Sequence, residues 1–323
     1  FFDRAYARWS GSSFHGAAWC APSKNFAMQM ALRRRNNFRR FQMDDVMGLI
    51  LAAGKGSRMK SDLPKVLHPV HGKPMVRCCL DALRTAGVTK NVAVVGYRKE
   101  LVMEELGDEV AYAVQTNQNG TGDAVAAAKD LIREHRGRGV VVYGDAPLLS
   151  AKTIERLIEK TKKAAGAILT ITLDNPPCAG RIVRDANNAF VRVVEEQDCT
   201  EEQKLIGEIN VGTYCFHGAP LLEALDKLKP NNNQGEYYLT DVPEHLVAAG
   251  HRVETVEADD IFETLGVNDR EHLQFAEMAR DIKYAESMFP LVDAAMAMAK
   301  FDYSASETRA VLIASQRGRA RLG

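Results

Sequence analysis

Small residues and basic residues are concentrated in one short segment, residues 49–65, which reads LILAAGKGSRMKSDLPK. An apolar run at residues 47–51 leads into a turn with two glycines, and four basic side chains follow. Flexible backbone N–H groups and fixed positive charges therefore meet at one place, which is how proteins hold phosphate groups. The segment predicts a phosphate-binding loop at the end of a β-strand.

The spacing in this segment excludes two commoner phosphate loops. The pattern G-x-x-x-x-G-K-[ST] is absent, and Gly54 and Gly56 lack the third glycine of G-x-G-x-x-G. A plain turn between a buried strand and a helix is the alternative interpretation. Arg58, Lys60 and Lys65 argue against it, because unpaired buried charges are costly and a polyphosphate would pair with them.

The composition is that of a water-soluble globular chain. Its 323 residues are 46% hydrophobic and 26% charged, which is enough chain for one large or two small domains. The formal net charge is zero, so we expect neither nucleic acid nor an anionic membrane as a partner. An anionic ligand must instead be held by a local cluster, such as the basic loop.

Cysteine usage and hydropathy indicate a cytoplasmic protein. The cysteines form neither a C-x-x-C pair nor a metal-finger spacing, so we expect no zinc site and no disulfide framework. No apolar stretch approaches the ~20 residues that cross a bilayer. The six cysteines are Cys20, Cys78, Cys79, Cys178, Cys199 and Cys215.

The first part of the chain, residues 1–42, has a different character. Arginines cluster at 33–35, Asp3 is the only acid, and no apolar period is sustained. We expect a disordered extension here in preference to a targeting segment, since Met43 and Met47 stand just before the first strand.

Strand and helix patterns alternate through the middle of the chain. Short β-branched runs predict strands at 47–51, 92–95, 110–114 and 140–143. Helical periods lie between them at 75–86, 99–106 and 122–134. This order predicts a doubly wound, three-layer α/β/α Rossmann-like fold with ligands at the carboxyl ends of the strands.

Beyond a further helix at 152–163 the pattern becomes richer in strands. We expect strands at 167–173, 181–184, 190–195 and 209–216, forming an antiparallel or mixed extension that closes over the site. Helices at 220–227 and 236–249, a strand at 252–256 and a helix from about residue 269 complete the predicted elements.

A series of motifs after the basic loop permits a family comparison. They are QTNQNGTG at 115–122, YGDAPL at 143–148, AGR at 179–181, VE at 194–195, EINVG at 208–212, NQGEYYLTD at 233–241 and GVN at 266–268. With LAAGKGSRM and the following LPK, the series resembles the sugar-nucleotide pyrophosphorylases. Together the motifs resemble the uridyltransferase half of the bacterial bifunctional N-acetylglucosamine-1-phosphate uridyltransferases, over roughly residues 47–280.

The resemblance implies a nucleotide-diphospho-sugar transferase fold and attack of a sugar phosphate on the α-phosphorus of UTP. Because both substrates are anions, the residues must chiefly align them and neutralise charge. Arg58 and Lys65 would neutralise the phosphates; the alternative for both is a solvated basic turn. The implied nucleotide contacts are Leu51, Ala52, Ala53, Gly54, Gln115, Gly120, Thr121, Tyr143 and Gly144.

Uracil would be read by Gln115 and the Gly120–Thr121 pair, although a helix N-cap also explains Thr121. The implied contacts to N-acetylglucosamine are Gly180, Glu195 and Asn210. Glu195 is alternatively a surface carboxylate, since its neighbour Glu196 is equally acidic.

Mg²⁺ is the implied cofactor, with Asp145 and Asn268 as its ligands. One carboxylate and one amide suffice, because Mg²⁺ takes further oxygens from substrate phosphates and water. Asp145 is alternatively a cap or turn residue before Pro147. His68 and His71 form H-x-x-H, but a third ligand is missing, so we expect no metal there.

The expected activity is synthesis of UDP-N-acetylglucosamine, which would serve cell-wall, peptidoglycan and lipopolysaccharide precursors. The alternatives are a pyrophosphorylase that uses another sugar 1-phosphate or dTTP, and a non-catalytic module that binds a sugar nucleotide. We expect a nucleotidyltransferase domain at 43–283 and a helical tail at 284–323. That tail lacks the hexapeptide period of an acetyltransferase domain, so the oligomeric state stays open.

Overall fold

The apolar run before the basic loop forms the central strand β1 (Val46–Ala52). The computed structural model describes residues 45–299. Side chains of β1 alternate between two cores: Val46 and Ile50 lie in one, Met47 and Leu49 in the other. Because both faces of β1 are buried, the sheet needs a layer of helices on each side.

The first half of the domain is a parallel α/β unit. After β1 come the short hairpin β2 (Pro69–Val70) and β3 (Lys73–Pro74), α1 (Met75–Thr85), β4 (Lys90–Val95), α2 (Lys99–Leu106), β5 (Ala111–Val114), α3 (Thr121–Ala126), α4 (Lys129–His135) and β6 (Arg138–Tyr143). Strands β1, β4, β5 and β6 run parallel, so their carboxyl ends lie along one edge of the sheet.

The second half adds strands of both directions. It contains α5 (Ala151–Lys160), β7 (Gly166–Thr172), β8 (Arg181–Arg184), β9 (Phe190–Val194), α6 (Glu201–Lys204), β10 (Glu208–His217), α7 (Gly218–Leu225), α8 (Val242–Ala248), β11 (Val253–Glu257) and α9 (Arg270–Ala299). The main sheet has the order β11-β7-β10-β6-β1-β4-β5, with the β8–β9 hairpin attached to β10. Strand β10 is antiparallel to both β6 and β7. The predicted mixed sheet is therefore confirmed.

Helices cover both faces of this sheet. Leu80 of α1, Val102 of α2 and Ile154 of α5 are buried in one core. Val125 of α3 and Leu221 of α7 are buried in the other, together with residues of α4 and α8. The three-layer α/β/α architecture predicted from the sequence is confirmed.

Two predicted helices differ in the structure. The helix predicted at 122–134 is broken between α3 and α4, where the N–H of Ala128 donates to Val125 O at 3.0 Å, three residues back. A run of alanines carries no signal for that break. The helix predicted from residue 236 begins at Val242, because Pro243 favours a first-turn position and Tyr237 pairs its backbone elsewhere: its N–H donates to Asn119 O at 2.8 Å.

The predicted domain limits are only partly within the described residues. The extension at 1–42 and residues 300–323 lie outside them. The boundary placed at residue 284 falls inside the continuous helix α9 (Arg270–Ala299). None of the helices within residues 45–299 is both long and apolar enough to cross a membrane.

Candidate active site

The carboxyl ends of β1 and β6 and the first residues of β10 border one cleft. Because β1 and β6 are parallel, the basic loop after Ala52 and the segment after Tyr143 leave the sheet at the same edge. Strand β10 is antiparallel to β6 and brings Asn210 to that edge from the other direction. The topology therefore collects motifs that lie far apart in the sequence.

The basic loop folds back upon itself through Gly56. This glycine has φ +65°, and a Cβ there would lie 2.4 Å from the Cβ of Lys65. Met59 is fully buried beneath the loop and anchors it. A Cβ at Gly54 would meet nothing within 4 Å, so the backbone at this position faces open space in which a ligand can approach it.

Four predicted residues form a cluster of cations and oxygens. The Lys65 ammonium is ion-paired with Asp145 and donates to Asn268 Oδ1 at 3.2 Å. Arg58 Nη2 donates to the same Oδ1 at 3.0 Å. The side chains of Lys65 and Asp145 are each 16% exposed, so their pair is shielded from solvent but reachable from the cleft. A backbone bond from Val267 N to Asp145 O, at 2.9 Å, fixes Asn268 beside Asp145.

This cluster fits a divalent cation. The Asp145 carboxylate and the Asn268 amide oxygen already converge on one cationic group, the Lys65 ammonium. Among the described residues no group of three or more His, Cys, Asp or Glu side chains is placed to hold a metal ion. One carboxylate and one amide oxygen are nevertheless hard donors that suit a divalent cation whose remaining ligands are other oxygen atoms.

The half of the cleft that contains most of the predicted nucleotide contacts, here called the nucleotide half, has a volume of about 430 Å³. It is lined by Leu51, Ala53, Gly54, Lys65, Val66, Gln115, Gln118, Gly120, Thr121, Ala124, Tyr143, Asp145, Glu236, Gly266 and Asn268. Gly120 has φ +114°, and a Cβ there would lie 2.5 Å from Tyr237 O, so this turn requires glycine. The Thr121 hydroxyl oxygen accepts from Leu239 N at 3.1 Å, which ties the nucleotide motif to the segment before α8.

The second half of the cleft, about 610 Å³, contains the predicted sugar contacts Gly180, Glu195 and Asn210. Asn210 N donates to Gly180 O at 2.8 Å, so these two residues are held together. Thr240 donates its hydroxyl to Glu195 Oε1 at 2.9 Å. Burial raises the pKa of Glu195, and the hydrogen bond from Thr240 opposes part of that rise.

The two halves adjoin each other. Thr121, Tyr143, Glu236, Gly266 and Asn268 line both of them. Burial raises the pKa of the Tyr143 hydroxyl. Of the Lys65–Asp145–Asn268 cluster, Asn268 lines both halves, whereas Lys65 and Asp145 line the nucleotide half.

Some predicted residues do not line the cleft. Ala52 is 2% exposed and packs in the core under β1, so only its backbone is near the loop. Gly144 donates its N–H to Leu51 O at 2.9 Å and supports the strand ends. Arg58 is exposed and reaches the cluster through Asn268.

Several residues near the cleft were not predicted individually. Glu236 and Thr240 lie in a motif that was recognised as a segment, whereas His272 and Arg270 follow the last motif. Arg270 donates to Met59 O at 3.2 Å and so joins α9 to the basic loop. Such a contact between distant segments leaves no signal in local sequence.

Comparison with known proteins identifies the family of this chain. Residues 48–247, more than half of the chain, match the MobA-like NTP transferase domain. The chain belongs to the MobA-like NTP transferase family. This membership covers β1 through most of α8 and hence the basic loop and both halves of the cleft, apart from the Asn268 segment.

Relatives of this family member include proteins named bifunctional protein GlmU. The one from Bacillus licheniformis is 45% identical over 238 residues, covering 73% of this chain and 52% of its own length. That of Bacillus subtilis is 44% identical over 237 residues, and that of Geobacillus thermodenitrificans 47% over 231. The chain thus spans about half the length of the curated relatives it matches.

A solved structure supports the fold of this NTP transferase. A Bacillus anthracis protein assigned as a glucose-1-phosphate thymidylyltransferase, crystallised with a sucrose, aligns with a TM-score of 0.60 at 23% identity. The alignment covers 72% of this chain and 94% of that chain. At this identity the likeness concerns the fold, and it agrees with the predicted nucleotide-diphospho-sugar transferase architecture.

Proposed function

We propose that the protein is a uridyltransferase that makes UDP-N-acetylglucosamine and pyrophosphate from UTP and N-acetylglucosamine 1-phosphate. The observation that carries the proposal is the cleft of two adjoining halves, with the Lys65–Asp145–Asn268 cluster in the nucleotide half and Asn268 at its border with the other half. The motif resemblance and the relatives named bifunctional protein GlmU support the same assignment.

In the proposed reaction a phosphate oxygen of the sugar phosphate attacks the α-phosphorus of UTP. A new P–O bond forms there, the bond to the bridging oxygen breaks, and pyrophosphate leaves with the electron pair. Lys65 and Arg58 neutralise charge on the phosphates, while the cleft aligns nucleophile and leaving group. No covalent intermediate on the protein is needed.

The proposed cofactor is Mg²⁺, held by Asp145 and Asn268. Bound there, the ion would withdraw charge from the phosphate oxygens of UTP. Lys65 would then exchange its present carboxylate partner for phosphate oxygens, because a divalent ion competes for the same oxygen atoms.

Substrate selection is assigned to the two ends of the cleft. Gln115, Gly120 and Thr121 would hold uracil, and Glu195 and Asn210 would accept and donate hydrogen bonds to the sugar hydroxyls and acetamido group. The residues of the nucleotide half, Leu51, Ala53, Gly54 and Tyr143, would lie along the nucleoside.

We further propose that the enzyme acts in the cytoplasm, which suits its free thiols, including exposed Cys178.

The deciding experiment is magnesium-dependent pyrophosphate release by the purified full chain. N-acetylglucosamine 1-phosphate is compared with glucose 1-phosphate and mannose 1-phosphate, each with UTP and dTTP. Selective release with UTP and the N-acetyl sugar is the expected result. Preference for another pair would reassign the substrate, and binding of UDP-sugars without turnover would indicate a non-catalytic binding module.

A further inference from the structure

The amide of Gln115 lies between two hydrogen-bond acceptors. Its Nε2 donates to Gly120 O at 3.1 Å and to Asp123 Oδ2 at 2.8 Å. Gln115 is 5% exposed, and its own backbone N–H donates to Val95 O at 2.8 Å, so its position is well determined. The side chain therefore has little freedom except rotation of the amide group itself.

The chemistry of its neighbours decides which way that amide is turned. A carbonyl oxygen has no proton to donate, and neither has an ionised carboxylate. If the amide were flipped, Gln115 Oε1 would face two acceptors, one of them charged. The nitrogen must therefore face Gly120 and Asp123, and Oε1 is the amide atom that can meet a ligand in the cleft.

We propose that Asp123 is a positioning residue that makes the cleft selective for a base with a ring N–H. An oxygen presented by Gln115 accepts a hydrogen bond from N3–H of uracil or thymine. Cytosine presents a lone pair at N3, so it would place one acceptor against another. This inference rests on the proposed nucleotide site and adds to it a residue that touches no substrate.

A purely structural role for Asp123 makes a different prediction. An acidic side chain in the first turn of α3 stabilises the helix electrostatically, and its loss would lower stability without changing which base is preferred. The measurement that separates the two roles is the ratio of kcat/KM for UTP to kcat/KM for CTP. In Asp123→Ala we expect this ratio to fall on the order of tenfold, since one charge-assisted hydrogen bond no longer opposes rotation of the amide.

Two further variants sharpen this test. Asp123→Asn keeps an acceptor oxygen for Gln115 Nε2 and should retain most of the wild-type ratio. In a Gln115→Ala background, Asp123→Ala should change the ratio no further, because the group through which it acts is gone. Asp130→Ala serves as the matched control: Asp130 is an exposed acid in the first turn of α4, paired with Arg133 on the surface.

The outcomes distinguish this inference from the proposed function. If wild type prefers UTP and Asp123→Ala keeps the full preference, the positioning role is wrong while the uridyltransferase assignment stands. If wild type releases no pyrophosphate, the assignment fails, and calorimetric titration with UTP and CTP tests Asp123 by itself. Equal affinity of wild type for the two nucleotides, or an unchanged affinity ratio in Asp123→Ala, would then overturn the inference.

Discussion

Replacing Lys65 by alanine should impair turnover far more than stability. The ammonium of Lys65 contacts both oxygens of the proposed metal site, and Lys65 lines the nucleotide half of the cleft. Alanine removes this charge and leaves Asp145 without its ion-pair partner. Two different free-energy costs therefore follow, one in the transition state and one in folding.

The cost in folding is modest because the pair is only partly shielded. Breaking a fully buried ion pair costs about 3–5 kcal/mol, and an exposed pair is worth about 0–1 kcal/mol. With both side chains 16% exposed, we expect Lys65→Ala to lower the free energy of unfolding by about 2 kcal/mol. In a domain of this size that corresponds to a fall in Tm of about 4–8 °C.

The cost in catalysis is larger. Removing one preorganised donor from developing oxyanion charge typically lowers kcat by about 10²–10³. The assays are magnesium-dependent pyrophosphate release and thermal unfolding of the same preparation. Lys73→Ala is the matched control, because Lys73 pairs with Asp81 where the side chains are 37% and 42% exposed. It should change Tm by less than about 3 °C and leave turnover unaltered.

A folded Lys65→Ala protein with turnover within about threefold of wild type would refute the assignment of Lys65. An equal loss of turnover in Lys65→Ala and Lys73→Ala would also refute the assignment of Lys65. It would show that turnover responds to general destabilisation and not to charge at the cleft.

Three further predictions concern residues around the cleft. Burial and nearby acids raise the pKa of Asp241 to about 6, so the stability of the native state falls as the pH rises from about 4 to 6. Asp241→Asn should therefore be more stable than wild type by about 1 kcal/mol at pH 7.5 but not at pH 4. Urea unfolding at both pH values checks this, and an equal difference at both would contradict it. Asn268→Ala should raise the Mg²⁺ concentration for half-maximal activity by about tenfold or more, measured by titration at saturating substrates; an unchanged midpoint would remove Asn268 from the metal site. Thr240→Val removes the hydroxyl that donates a hydrogen bond to Glu195, so KM for the sugar phosphate should rise about tenfold while KM for UTP stays unchanged. Thr240→Ser keeps a hydroxyl and should retain the wild-type KM for the sugar phosphate. Equal changes in both KM values would argue for general distortion of the cleft.

The alternation of elements was predictable because short-range patterns carry it. Residues of β1 are apolar on both faces, and the structure places them in two cores, as a strand of a three-layer fold requires. The helix Lys99–Leu106 and the strand Arg181–Arg184 have the predicted limits. Where backbone pairing with a distant segment took precedence, as at Tyr237, the prediction of helix was wrong.

The candidate site was predictable only as a set of motifs. The basic loop, the GTG turn and the residues after the strands are visible in the sequence, because glycine, lysine and aspartate in those patterns suit phosphate and metal binding. Their mutual geometry is not visible. Ala52, for example, belongs to a nucleotide motif but packs in the core, which depends on the strand register.

Most helices and strands, their order and the types of chemical group at the strand ends follow from local sequence, since backbone preference and hydrophobic period act over a few residues. Which of these groups meet depends on the folded chain. Lys65 and Asn268 are 203 residues apart and share a hydrogen bond, and the Gln115 amide is turned by Asp123 and the Gly120 carbonyl. Hydrogen bonds and ion pairs require atoms within a few ångströms in a defined orientation, and only the folded chain sets those distances.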